Sequence, residues 1–216
     1  MIKLIAFDFD GTLADSVDFC IAVFHKVFAK YLGDKAPTSE EIYQKFGMNE
    51  PGVIRTFMGK ECPEAVEDYN KWHKELHPTM CPAPFPGVIE LLDYLKTQDV
   101  ELTILTGRDK VTCTISLDFL KMDSYFTNFQ YGSPIKLDKC AQLVKLCETR
   151  NLDPSEVVYV GDAVTDATAA QQANVRCFTA AWAKSARIEE LKKTNPEYVF
   201  LTVKDMLEHF KKEFAK

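Results

Sequence analysis

Long apolar runs, paired cysteines and clustered basic residues are all missing from this 216-residue chain. No window approaches the roughly 20 consecutive apolar residues of a membrane span, so neither a membrane helix nor a membrane partner is expected. The apolar start MIKLIAFDFD is too short for a secretory core, is broken by Asp8 and lacks a small-residue cleavage site; it reads as a first strand rather than a signal. The seven cysteines are odd in number and include no Cys-x-x-Cys pair, so they read as reduced thiols of a cytoplasmic protein, not as a disulfide frame or zinc site. Positive charge is in deficit, 26 Lys and Arg against 32 Asp and Glu for a net charge of -6, and no basic cluster is available for a nucleic-acid backbone. Nine glycines alongside 46% hydrophobic residues exclude fibrous and disordered classes, and repeats and low-complexity tracts are absent. What remains is a globule of one domain, or one domain with an insertion, whose oligomeric state is left open.

What is present is an alternation of strands and helices. Residues 2–9 read as a buried strand, and Val17, Ile21, Phe24, Phe28 and Tyr31 predict an amphipathic helix over 17–31. From Pro37 to Met80 the chain is charged and helix-prone, with a cap at Thr38 or Ser39 and a break at Asn49-Glu50-Pro51-Gly52. Three prolines between Cys81 and Gly87 make a stiff linker. Helices are then predicted at 87–97, 109–120, 138–150, 163–173 and 184–193, alternating with strands at 100–105, 127–131, 157–162, 175–179 and 197–200. A final helix carries Val203, Met206, Leu207, Phe210 and Phe214 on one core-facing stripe. The pattern predicts an α/β fold, a doubly wound parallel sheet that binds ligands beyond the carboxyl ends of its strands.

Polar residues gather at those ends. The stretch AFDFDGTLADS, residues 6–16, follows a buried run with three acids around a Gly-Thr pair. Closely spaced carboxylates repel and lose hydration, and the usual offset is a hard cation such as Mg²⁺ that also leaves room for a phosphate. Asp8 and Asp10, two apart on extended backbone, point to one side. Phosphoryl transfer needs such a pair, Asp8 to attack phosphorus and Asp10 to move protons. Asp162 and Asp166, just past VVYV, are placed to complete the metal ligands. The backbone N–H groups of Gly11 and Gly107, the Thr106 hydroxyl and a lysine are candidates for the phosphate oxygens. His73 and His77, one helical turn apart in HKELH, lack the Glu placement of a metalloprotease helix and are not read as a zinc site.

DFDGTLADS, LTGR and GDAVTD, in this order and spacing, resemble the first, second and fourth motifs of the haloacid dehalogenase superfamily of phosphatases. The resemblance implies a modified Rossmann core, an aspartyl-phosphate at Asp8 and an acid/base role for Asp10. It also implies Mg²⁺ held by Asp8, the Asp10 carbonyl and Asp162, with Asp166 in support. The third motif departs from the usual Lys-Pro form: GSPIKLDKCAQLV offers Lys139, which opens a helix at a family-like distance from Asp162, with Lys136 as the alternate. Residues 16–85 are similar to the small α-helical cap of the phosphoglycolate phosphatase-like branch, leaving 1–15 and 86–216 as the core, with hinges near Leu13–Ser16 and Cys81–Gly87. Within that cap Arg55 is a candidate for a substrate carboxylate. The expected activity is Mg²⁺-dependent hydrolysis of a small phosphorylated metabolite. A sugar phosphomutase is the enzyme alternative, weakened because Cys20 stands where the mutase has a cap-side His. A phosphoacceptor regulatory domain is another alternative, but its phosphorylated Asp would follow the third strand.

Overall fold

The computed structural model describes residues 1–135 and 138–215, so Lys136 lies outside the described residues. Six strands, β1 (Leu4–Phe7), β2 (Glu101–Leu105), β3 (Phe129–Gln130), β4 (Val157–Gly161), β5 (Arg176–Ala180) and β6 (Val199–Phe200), form one sheet in the order β3-β2-β1-β4-β5-β6. Every pairing is parallel, and β1 sits between β2 and β4 with Phe7 beside both Ile104 and Val160. All four residues of β1 are buried, as expected for a central strand covered on both faces. Ile5 and Phe7 enter one apolar core with Leu91, Leu92 and Phe210. Leu4 and Ala6 enter the other with Leu143, Leu146, Ala167 and Ala170. The chain builds β1, β2 and β3 outward to one side and then returns to β4 on the other. The β1/β4 boundary is therefore the topological switch point, where the first turns diverge and leave a crevice.

Between β1 and β2, ahead of α5, run α1 (Val17–Leu32), α2 (Ser39–Tyr43), α3 (Glu50–Met58) and α4 (Pro63–Met80). The remaining helices are α5 (Val88–Lys96), α6 (Lys110–Phe119), α7 (Lys139–Arg150), α8 (Val164–Gln172), α9 (Ile188–Thr194) and α10 (Val203–Phe214). Helix α1 buries Phe19, Cys20, Val23, Phe24, Val27 and Phe28, a stripe rotated from the predicted one, with Ile21 and Tyr31 only half-buried. Its partner α4 offers Ala65, Tyr69, His73 and His77, and the polar histidines hide the helical period that an all-apolar face would show. Thr38 caps α2 through a reciprocal capping box with Glu41.

The predicted break at 49–52 is instead a helix start. The Asn49 side chain accepts the Gly52 N–H at 3.0 Å, and Pro51 falls in the first turn, where its missing N–H costs nothing. Helix α3 then docks on the loop after β3. The Asn49 N–H donates to the Ser133 carbonyl at 2.9 Å, and a Cβ on Gly52 would lie 2.5 Å from the Pro134 carbonyl oxygen. Among the described residues no helix is long and apolar enough to cross a membrane.

Candidate active site

Asp8 is the first residue past β1. Its N–H donates to Val160 O of β4 at 2.8 Å, which keeps the backbone in register with the strand that delivers Asp162 and Asp166. The three carboxylates bring oxygens within 4.8 Å of one another in the switch-point crevice. Asp8 Oδ1 accepts the Phe9 N–H at 2.8 Å, and Oδ2 accepts Lys139 Nζ at 2.7 Å. Lys139, the first residue of α7, also donates to Asp166 Oδ1 at 2.6 Å. Asp166 is fixed by two further donors, the Tyr159 hydroxyl at 3.2 Å and the Ala163 N–H at 3.1 Å. Close approach here requires glycine: Gly11 has φ +73°, and a Cβ on it would lie 2.1 Å from the Asp162 carboxylate.

Among the described residues one lysine meets two buried acids and a half-buried third, which leaves a surplus of negative charge. Burial pushes Asp8 up to about 6, against the pull of Lys139 and with the push of Asp166. Burial and the charges of Asp166 and Asp8 hold Asp162 well above the usual carboxylate range. Burial alone would lower the Lys139 ammonium, but Asp166 and Asp8 outweigh it and hold it well above its ordinary value. Hard oxygen donors with unbalanced charge in one crevice fit a divalent cation with few protein ligands, of the Mg²⁺ kind.

The Asp10 carboxylate goes elsewhere. Arg108, the last residue of LTGR, donates from Nε to both Asp10 oxygens at 3.0 Å and from Nη2 to Oδ1 at 2.6 Å. The Ser16 hydroxyl adds a 2.6 Å bond to the same Oδ1. Burial would raise Asp10, yet the Arg108 guanidinium holds it below its ordinary value. Asp8 and Asp10 are therefore served by different cations. Sequence reasoning misses Arg108 although the residue lies inside a motif. The signal is a strand-end Arg next to an apolar run, where a buried guanidinium demands an acid. It also misses Glu50, which is buried, pushed up to about 6 by that burial, and bound to the Asp109 N–H and the Thr112 hydroxyl.

Thr106 is buried, and its Oγ1 accepts the Arg108 N–H at 3.3 Å, while Gly107 passes close to Gly47 of the α2–α3 connection. The Gly11 N–H is not turned toward a phosphate site: it donates to the Ala14 carbonyl at 3.0 Å, because the turn after β1 closes on itself. Arg55 donates to the Pro134 carbonyl at 3.0 Å and pairs with Glu61 at 3.3 Å, so here its guanidinium helps to dock α3. A cleft of about 50 Å³ lies beside Asp10 and Arg108, walled by Phe24, Val53 and Tyr69 with Glu50 at its edge. A wider depression of about 470 Å³, lined by Lys3, Lys96 and Glu101, sits at the opposite ends of β1 and β2, away from all of these groups.

Residues 5–180 match the family model for haloacid dehalogenase-like hydrolases. The chain belongs to that family. The hydrolase is 28% identical to the phosphoglycolate phosphatase of Synechococcus elongatus over 208 residues, 95% of this chain and 96% of that protein. It is 26% identical to pyrophosphatase PpaX of Bacillus velezensis over 211 residues, 95% of each chain. A solved haloacid dehalogenase-like family protein of Streptococcus pneumoniae, SP0104, superposes with a TM-score of 0.74 at 24% identity, covering 97% of this chain and 98% of that one, which shows the shared fold.

In this hydrolase the two histidines of α4 are structural. His73 Nε2 and His77 Nε2 each lie 3.0 Å from Ser116 Oγ, which also accepts Arg108 Nη1 at 2.7 Å, while both Nδ1 atoms are buried without a hydrogen-bond partner. Burial, reinforced by the Arg108 charge, lowers His73 to about 2 and His77 to about 4. Unfolded, each would take up its proton near pH 6.5. Their contribution to stability is therefore complete above that pH and is lost as pH falls through the window toward 4, by about 2 kcal/mol each between pH 7 and pH 5. Raised Asp8 and Glu50 act in the opposite sense, so the comparison must be made against a variant. The difference in urea unfolding free energy between wild type and His77→Gln should shrink by about 2 kcal/mol from pH 7 to pH 5. A pH-independent difference would show that His77 titrates normally in the folded protein.

Proposed function

We propose that this hydrolase is a phosphatase acting on a small organic phosphomonoester through an aspartyl-phosphate on Asp8. The observation that carries this reading is the Asp8 carboxylate, buried at the switch point, pinned by Phe9 N–H and Lys139, and gathered with Asp162 and Asp166. Asp8 Oδ forms the new bond to phosphorus as the bond to the leaving oxygen breaks, and Asp10, protonated once it is off Arg108, gives that oxygen its proton. Water then attacks the phosphoryl group, Asp10 takes the water's proton, inorganic phosphate leaves and the Asp8 carboxylate is restored. Asp8, the Asp10 carbonyl, Asp162 and Asp166 would hold Mg²⁺, which when bound supplies charge neutralisation and Lewis acidity to the phosphoryl oxygens. Lys139, the Thr106 hydroxyl and the Gly107 N–H stabilise the charge developing on those oxygens.

Residues 16–85 act as a helical cap over a core made of 1–15 and 86–216, excluding water and selecting a small leaving group. Relatives named as a phosphoglycolate phosphatase and a pyrophosphatase support phosphoryl chemistry on small molecules. The test is phosphate release from 2-phosphoglycolate, sugar phosphates, nucleotides, pyridoxal phosphate and pyrophosphate, with Mg²⁺ and with EDTA. Release that EDTA abolishes and Mg²⁺ restores is expected; failure with every compound would end the phosphatase reading.

A further inference from the structure

Among the described residues Arg108 is the most confined charge outside the acid cluster. Its side chain is 2% exposed, one face packs on the Phe9 ring at 4.3 Å, and all three nitrogens are engaged: Nε and Nη2 on Asp10, Nη1 on Ser116. Asp10 is the looser partner, with a side chain 21% exposed at the wall of the cleft and a second support in Ser16. Glu50, the other acid near Arg108, is committed to the Asp109 N–H and the Thr112 hydroxyl at the start of α6. A guanidinium stays charged at every working pH, and stranding it unpaired in a buried site is strongly unfavourable. Asp10 can therefore leave Arg108 for a reacting phosphate without stranding the guanidinium only if another anion takes its place there.

We infer that this anion belongs to the substrate: Arg108 binds a second negative group on the leaving-group side of the scissile phosphate, and that exchange releases the Asp10 side chain for its task. The inference rests on the phosphatase reading above and narrows its substrate class. The cleft beside the Asp10–Arg108 pair is small, about 50 Å³. Its walls, Phe24, Val53 and Tyr69, offer no competing cation. The fork of a guanidinium matches a carboxylate or a phosphate in the same side-on manner in which it now holds Asp10. The substrates selected are small phosphate esters or anhydrides carrying a carboxylate or second phosphate within a few bonds of the bridging oxygen. An ester of the same size with a neutral end leaves Asp10 on Arg108.

The test compares kcat/KM for 2-phosphoglycolate and 2-hydroxyethyl phosphate, which have similar size and differ in the charged end, in wild type, Arg108→Gln and Arg108→Lys with Mg²⁺ present. Wild type should prefer the carboxylate ester by ~10²-fold or more, because a site built to pair a group rejects the analogue lacking it. Arg108→Gln should bring the ratio near one, with kcat for the neutral ester rising several-fold because Asp10 is no longer held. Arg108→Lys, which keeps charge but not the fork, should give an intermediate ratio and serves if the Gln variant does not fold. Equal use of both esters by wild type, or a preference that survives in the folded variants, overturns the inference and leaves the phosphatase reading standing. Hydrolysis of other phosphomonoesters but of neither of these also overturns it, whereas no phosphate release from any compound removes the phosphatase reading and the inference together.

Discussion

Asp8→Asn is expected to lower phosphate release by at least ~10³-fold, to the background of the preparation, while leaving the folded protein intact. An amide oxygen is a poor nucleophile toward phosphorus and cannot be regenerated by water as a carboxylate is, so the covalent step is lost outright. The structural consequences are mild by comparison. The amide can still accept the Phe9 N–H, and Lys139 retains Asp166 at 2.6 Å. Burial has pushed Asp8 up to about 6, so above that pH the metal-free protein carries an ionised carboxylate in an unfavourable setting. Its neutral isostere should therefore leave Tm unchanged or higher, each kcal/mol corresponding to ~2–4 °C for a chain of this size. Activity and stability thus move independently, which separates a chemical role from a folding role. Retained turnover, once mass spectrometry excludes deamidation of the introduced asparagine back to aspartate, would place the nucleophile elsewhere.

The parts of the molecule set by short-range periodicity were readable in the chain. Every strand of the sheet follows a run whose apolar pattern announces it, and the alternation with helices is enough to call for a parallel sheet and a crevice at its carboxyl end. Asp162 and Asp166 could be placed because both lie in the first turn after one strand. Pairings across long sequence separation could not. Asp10 and Arg108 are 98 residues apart, and a strand-end Arg beside an apolar run calls for an acid without saying which one. Glu50 was hidden by its neighbours, since Asn-Glu-Pro-Gly has the composition of a surface turn, and only the docking of α3 carries that carboxylate inside. Arg55 is a similar case, since its bond to the Pro134 carbonyl spans 79 residues and no local pattern announces it. Cys20 shows what type alone leaves undecided. Its Sγ lies 3.4 Å from Arg108 and 3.7 Å from Asp10, but burial holds the thiol well above its ordinary value, so it sits beside the reacting groups as a neutral packing atom.

Lys139→Met should produce the largest loss of stability among changes at the site. Among the described residues Lys139 is the cation on the acid cluster, 2.7 Å from Asp8 and 2.6 Å from Asp166, with its ammonium 5.5 Å from the Tyr159 ring centre. Methionine fills most of the stem's volume, so packing is largely preserved and the change isolates the charge. Removing one partner of a buried ion pair costs about 3–5 kcal/mol, because the remaining carboxylates keep their desolvation penalty and gain mutual repulsion. At ~2–4 °C per kcal/mol the metal-free variant should melt on the order of 10 °C lower. Mg²⁺ should recover more Tm in the variant than in wild type, since a divalent cation supplies the charge that the lysine no longer does. Phosphate release should fall by ~10²-fold or more even at saturating Mg²⁺, because the donor proposed for the phosphoryl oxygens is missing in the transition state. A variant that melts within a degree of wild type in EDTA would show that the cluster is neutralised by protonation rather than by Lys139, and the charge balance drawn for the site would have to be abandoned.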